Sequence, residues 1–343
     1  MKNTKKLISG VTVLAASALL FSCGGSNVVS SSTPNETSLQ NALVKMEAPA
    51  NALATAGKIG VDMSASVFNI YTKSGWVAGG KDNHVSIKNE MSNGSLKFYA
   101  SGLQASNPGE NVEILYNGQF AKNVFAAEST ILTNLTAETT YENIDLSAYV
   151  KSDKLYADLS APSIRTILTA FGQPNFAEKA ILNNSIWGTR TNPLFGETLT
   201  EKLDKQFANV KAVVDAIKGF VTSTDNDGIS TLSIDMSKDD LLNLYSANYK
   251  LFNPKTTLTD AEILTNGNNK YANLTINKFV TSISFNGTLF TGFSADIDIA
   301  NKMEKTIGGT LYSTEYSLVC NATGSFKYGD DVVFTLPDLT EYK

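Results

Sequence analysis

Histidine and cysteine are nearly missing from this chain, which has one histidine (His84) and two cysteines (Cys23 and Cys320) in 343 residues. A single histidine with no cysteines or carboxylates grouped around it at ligand spacing cannot build a zinc site. His84 sits in a polar approach to a strand and is expected at the surface. Basic residues do not dominate either: 28 Lys and Arg against 33 Asp and Glu give a formal charge of −5. The scattered charges form no basic stripe in the sequence, so binding to nucleic acid or to anionic lipid surfaces is not expected from composition. No Gly-x-Ser-x-Gly elbow, Ser-x-x-Lys, P-loop or dinucleotide fingerprint occurs. Neither a metal, a cofactor nor an enzymatic activity is expected, and nothing points to serine hydrolysis through His84. No apolar run reaches the ~20 residues that a membrane-spanning helix needs.

What the chain does have begins at its start. Lys2, Lys5 and Lys6 precede an apolar run from Leu7 to Phe21, which ends in Leu20-Phe21-Ser22-Cys23 and is followed by Gly24-Gly25-Ser26. This run resembles the lipobox of a bacterial lipoprotein signal. The resemblance implies cleavage after residue 22 and a diacylglyceryl thioether on Cys23, so that an acyl anchor holds the protein to a membrane of the cell envelope. An ordinary secretory signal that happens to contain a cysteine is the alternative. Removing residues 1–22 with their three lysines takes the formal charge from −5 to −8. If Cys23 carries lipid, Cys320 is left alone, which suits export without disulfides. Gly24, rather than Asp, follows the cysteine, and by enterobacterial-type sorting that favours an outer membrane over an inner one. Residues 23–38 are small and polar and read as a tether of roughly 20 Å reach.

Residues 39–343 read as one body, with no composition break. A short helix is expected before Pro49. Ile59, Val61, Met63, Ala65 and Val67 then alternate as a half-buried strand. Strands at 83–91, 95–103, 111–117 and 119–126 are expected to follow, with hairpin turns at Asn93-Gly94, Asn107-Pro108-Gly109 and Asn117-Gly118. In the hairpin at 141–159, Ile144, Leu146, Ala148 and Val150 face one side and Ser152-Asp153 turn the chain. The period then changes: Pro162, Ile164, Ile167, Leu168 and Phe171 fit a helix that Gly172 stops. A second helix is expected at 199–218, capped by Thr198 and Glu201, with Phe207, Val210 and Val214 in its apolar stripe. A strand at 229–236 and a helix capped by Ser237 repeat the strand–helix order.

The Asp225-Asn226-Asp227-Gly228 segment imitates a calcium loop, but Ile234 stands where the closing glutamate belongs. A β-turn accounts for it better. Ile283, Phe285, Leu289, Phe293, Ala295, Ile297 and Ile299 share one parity, with Asp296 and Asp298 pointing away. Strands at 311–322 and 325–336 complete the series, and Cys320 reads as a small core residue. The fold class is therefore α+β: a large curved antiparallel sheet, an incomplete β-barrel, wrapped over a few helices inserted at about 160–250.

The run from Tyr149 to Leu159, the strands at 283–299 and 311–336, and Thr335-Leu336-Pro337 are similar to the LolA/LppX-type lipoproteins. That resemblance covers about 140–340 and carries no invariant signature. It implies a half-barrel with a cavity for an acyl chain or a lipoprotein's lipid. Helices 162–171 and 199–217 would form the cavity floor through Ile164, Ile167, Leu168, Phe171, Phe207, Val210 and Val214. Its walls would be Val61, Met63, Val67, Ile144, Leu146, Phe285 and Ile297. A solid core built from the same residues is the competing reading, and with it a structural or adhesive surface lipoprotein that has no small ligand. The oligomeric state is not legible in the sequence.

Overall fold

The computed structural model describes residues 34–131, 136–170, 173–187, 218–242, 249 and 256–343. Cys23, Phe171, Gly172 and the expected helix at 199–218 lie outside them. Helix α1 (Pro34–Thr55) leads into β1 (Lys58–Ala78) and β2 (Lys81–Ser101). After one helical turn, α2 (Pro108–Asn111), come β3 (Glu113–Ser129), β4 (Thr136–Lys151) and β5 (Lys154–Asp158). Helix α3 (Pro162–Ala170) and β6 (Lys179–Asn183) close the first half. The second half holds β7 (Val221–Asn226), β8 (Ile229–Asp235) and α4 (Asp260–Lys270). It ends with β9 (Thr275–Phe285), β10 (Phe290–Ile307) and β11 (Thr310–Tyr328).

All eleven strands join one antiparallel sheet in the order β6-β5-β4-β3-β2-β1-β11-β10-β9-β8-β7. Each half is a meander, and the long-range pairing of β1 with β11 is the seam between them. The sheet does not close: β6 and β7 are its two ends, so the body is an incomplete barrel of α+β class. Tight turns carry the hairpins. Ser152-Asp153, Asp227-Gly228, Gly79-Gly80 and Gly308-Gly309 all have positive φ, the backbone that two-residue hairpin turns require.

Several expectations are corrected. The first helix starts at Pro34, inside the stretch read as tether, and runs through Pro49 to Thr55 instead of stopping before it. No turn forms at Asn93-Gly94 or Asn117-Gly118; β2 and β3 pass straight through both. Gly118 makes room for Leu96 and Phe120, and Gly94 lies under the Phe120 ring, so these glycines serve close packing rather than reversal. The run 283–299 is two strands joined at 286–289, and β11 continues unbroken to Tyr328, after which 332–343 is not strand.

A crease crosses the first half of the sheet. Ser66 is an extra residue against β11, so Ala65 opposes Ala322 while Val67 opposes Asn321. The adjacent positions on β2 and β4, Asn93 and Asn143, have φ of 50° and 52°. Below the crease the residues that share a face are Ile59, Val61, Met63 and Ala65, with Leu96, Phe98, Ile114, Phe120 and Ile144. Above it they are Phe68, Ile70, Ile87, Phe125 and Tyr141. Four strands change parity at one level, and the bulge keeps their apolar residues on one side.

Helix α1 defines that inner side. Leu39, Ala42, Leu43, Met46, Ala50 and Ala54 pack on Val221, Leu232, Ile234, Ile283, Phe285 and Phe290. The opposite, outer face above the crease carries charge, in pairs such as Lys88–Glu90 (2.7 Å) and Lys302–Glu304 (2.9 Å). Below the crease the outer face is covered by residues 332–343. Tyr342 stacks edge-on against Tyr149 and Tyr156 at 6.0 and 5.6 Å, and the Lys343 backbone pairs with β6 through Lys179 and Ile181. That contact covers one of the two open ends.

Candidate functional site

The inner face is where the sheet gathers apolar side chains from both halves. Met63, Ala65, Phe68, Ala295, Ile297, Ile299, Leu318, Cys320 and Ala322 form one cluster across β1, β11 and β10, joined by Phe279 from β9. Phe125, Ala127, Val85, Ile87 and Tyr141 form another across β2–β4, beside α3, whose Thr166 hydroxyl meets the Tyr141 hydroxyl. Among the described residues, α1 covers the lower end of this face. Toward the upper end of β1, Ile70 and Trp76 of the inner face are exposed.

The sequence-predicted residues divide accordingly. Val61, Met63, Ile144, Leu146 and Ile297 stand on the inner face, with Ile144 and Ile297 buried. Phe285 is completely buried against α1. Ile164, Ile167 and Leu168 lie in α3. Val67 is corrected: the extra residue at Ser66 turns it to the outer face opposite Asn321. Phe207, Val210 and Val214 lie outside the described residues. Phe68, Ile70, Ile87 and Leu318 on the inner face are missing from the predicted set. The signal that reveals them is the restart of alternation at Phe68, one residue out of phase with Val67.

One depression of another character lies among the described residues. About 550 Å³ of open space lies between α1 and the β7–β8 hairpin, lined by Thr37, Ser38, Asn41, Ala42, Lys45, Ser223, Asp225 and Ser230. Seven of the eight residues that line it are polar or charged, and Lys45 and Asp225 form an ion pair across it. Lys45 holds the Asp225 carboxyl below the usual carboxylate range.

Other polar groups tie the strands together. Asp62, Tyr99 and Lys327 form a triangle on the outer face: the Tyr99 hydroxyl donates to Asp62 at 2.7 Å, and the Lys327 ammonium donates to Asp62 at 2.6 Å and to Tyr99 at 3.1 Å. Burial raises the Asp62 pKa, but hydrogen bonds from Lys327 and Tyr99 outweigh it and leave the carboxyl below its ordinary value. The Tyr99 ring covers Gly60, where an added Cβ would meet it at 3.0 Å. His84 is buried, not at the surface as its polar setting suggested. It lies opposite Gly75, with Asp82 at 3.2 Å and Glu128 at 3.7 Å. Burial raises the Cys320 thiol pKa, as fits a core residue. Among the described residues no group of three or more His, Cys, Asp or Glu could hold a metal, and no helix is long and apolar enough to cross a membrane.

No family model matches the chain, and no curated relative matches it. Among solved structures it is similar to LprF from Mycobacterium bovis, at 11% identity over 87% of this chain and 97% of that one, with a TM-score of 0.23. It is also similar to the outer membrane protein OprG from Pseudomonas aeruginosa (7% identity, 80% and 97% covered, TM-score 0.16). A DUF1329 family protein from Desulfovibrio piger matches at 9% identity, with 88% and 96% covered and a TM-score of 0.16. Likeness this slight carries no weight in the functional reading.

Proposed function

We propose that this is a lipid-anchored cell-envelope protein that binds or carries a hydrophobic ligand, a lipid or a lipoprotein's acyl chain, against the inner face of its open sheet. The observation behind the reading is the asymmetry of the two faces above the crease. The outer face is laced with ion pairs, while the inner face presents Phe68, Ile70, Ile87, Ile299 and Leu318, only partly covered. Burying an alkyl chain there gains about 25 cal/mol per Å² of apolar area removed from water. The anchor rests on the lipobox and Cys23. No catalytic residue, metal or cofactor is part of this reading.

The test is extraction of the purified protein with organic solvent followed by mass spectrometry. A stoichiometric lipid that is lost from an Ile70→Asp/Leu318→Asp variant supports the carrier reading. A wild-type protein that yields no lipid overturns it and favours the structural or adhesive role. Separately, Cys23→Ala shifts the protein from the membrane to the soluble fraction if the anchor is there. A variant that stays membrane-bound refutes the anchor.

A further inference from the structure

The upper end of the sheet is a four-stranded blade. β1 and β2 end together at Gly79-Gly80, β10 and β11 end together at Gly308-Gly309, and Val77 pairs with Leu311 between them. Both flanks fall short of this end. β10 runs on to Ile307 after its pairing with β9 stops at Ala300, and β3 pairs with β2 only as far as Val85.

Exposed large apolar side chains concentrate on this blade. Trp76, Val77, Met303, Ile307 and Tyr312 are all exposed, Ile307 by 55% and Tyr312 by 45%. Trp76 and Tyr312 are cross-strand partners, and Lys305 is the other neighbour of Tyr312. Charge at the tip runs against the acidic character of the chain. Lys81 and Lys305 are exposed, neither makes an ion pair among the described residues, and the nearby carboxylates Asp82 and Glu304 already face Lys73 and Lys302.

We infer that this tip docks onto the surface of a lipid bilayer containing anionic headgroups. Aliphatic side chains at the extremity, a Trp–Tyr pair just behind them and free lysines alongside match the layering of a membrane interface. There apolar atoms sit in the acyl boundary, amphipathic rings at headgroup level, and lysines against phosphate. From the tip, the same face leads through Ile70 and Leu318 to the inner cluster. The docking does not depend on ligand carriage, and the two readings fail separately.

The two tryptophans provide the test. The full chain is incorporated in vesicles of phosphatidylethanolamine and phosphatidylglycerol, the latter brominated in its acyl chains. In a Trp187→Phe variant only Trp76 emits, and its emission shifts to the blue and is quenched by the bromines. In the Trp76→Phe variant, Trp187, beside the Asp153 turn at the opposite end of the sheet, is not quenched. Lys81→Gln/Lys305→Gln weakens partitioning of the tip on anionic vesicles by roughly fivefold per lysine, and this loss disappears when phosphatidylcholine replaces phosphatidylglycerol. Quenching of Trp187 in place of Trp76, or of neither, overturns the inference. So does a Trp76 blue shift that depends on protein concentration and not on vesicles, which would assign the tip to a second copy of the chain.

Discussion

Asp62 links the two halves of the sheet through a single hydrogen-bonded triangle, since it lies on β1 and its partners Tyr99 and Lys327 lie on β2 and β11. Its folded-state pKa is lowered from the reference of 3.8. A depressed carboxyl contributes stability that is present above its unfolded pKa and is lost as pH falls through the folded one. Asp62→Asn should therefore lower the urea midpoint at neutral pH and lower it progressively less in acid, as the native carboxyl takes up its proton. An equal loss at neutral and acid pH would show that the triangle contributes by shape alone. Lys327 and Asp62 are each about a third exposed, so solvent screening keeps the effect modest.

The crease is the feature on which the inner face depends at the scale of elements. Deleting Ser66 restores simple alternation against β11 with Phe68 and Ile70 still facing inward, and leaves Asn93 of β2 as the unmatched residue on the other flank. That variant should fold and keep its near-ultraviolet dichroism, whereas deleting Asn69, above the crease, turns Ile70 and every later residue of β1 outward and should give an insoluble or unfolded protein. A soluble, native-like Asn69 deletion would mean that the strand absorbs the slip elsewhere. The strap 332–343 gives a milder test. Tyr342 is buried against Tyr149 and Tyr156, so Tyr342→Ala should cost roughly 3 kcal/mol and speed amide exchange in β6, whose edge the strap covers. The crease also explains what sequence reading got wrong. Alternation below it and above it was legible, in Ile59–Ala65 and again in 83–91. The change of phase between such runs looks like a hairpin turn when Asn-Gly marks the place. The true turn at Ser152-Asp153 is legible because there the polar punctuation separates two runs that pair with each other. The burial of His84 was not legible, because its cover comes from Asp82 and Glu128 and from the absence of a side chain at Gly75.

For the molecule as a whole, the decisive contact is also the one most distant in sequence: β1 meets β11 only after the rest of the chain has been made. Loop closure on that scale places folding in the slow class of non-local sheets, milliseconds to seconds or longer. Cys320 sits buried in β11 at this seam, with its thiol pKa raised by burial. It should react with a thiol reagent only as fast as the sheet opens globally, at a rate that follows the denaturant dependence of complete unfolding. Rapid labelling in native buffer would show that the seam parts on its own. The collinear irregularities at Ser66, Asn93 and Asn143 carry one more implication, for how such a protein changes over generations. A residue gained or lost within a single strand would put that strand out of step with its neighbours, so length variation among homologues should be confined to the hairpin tips or occur in adjacent strands together.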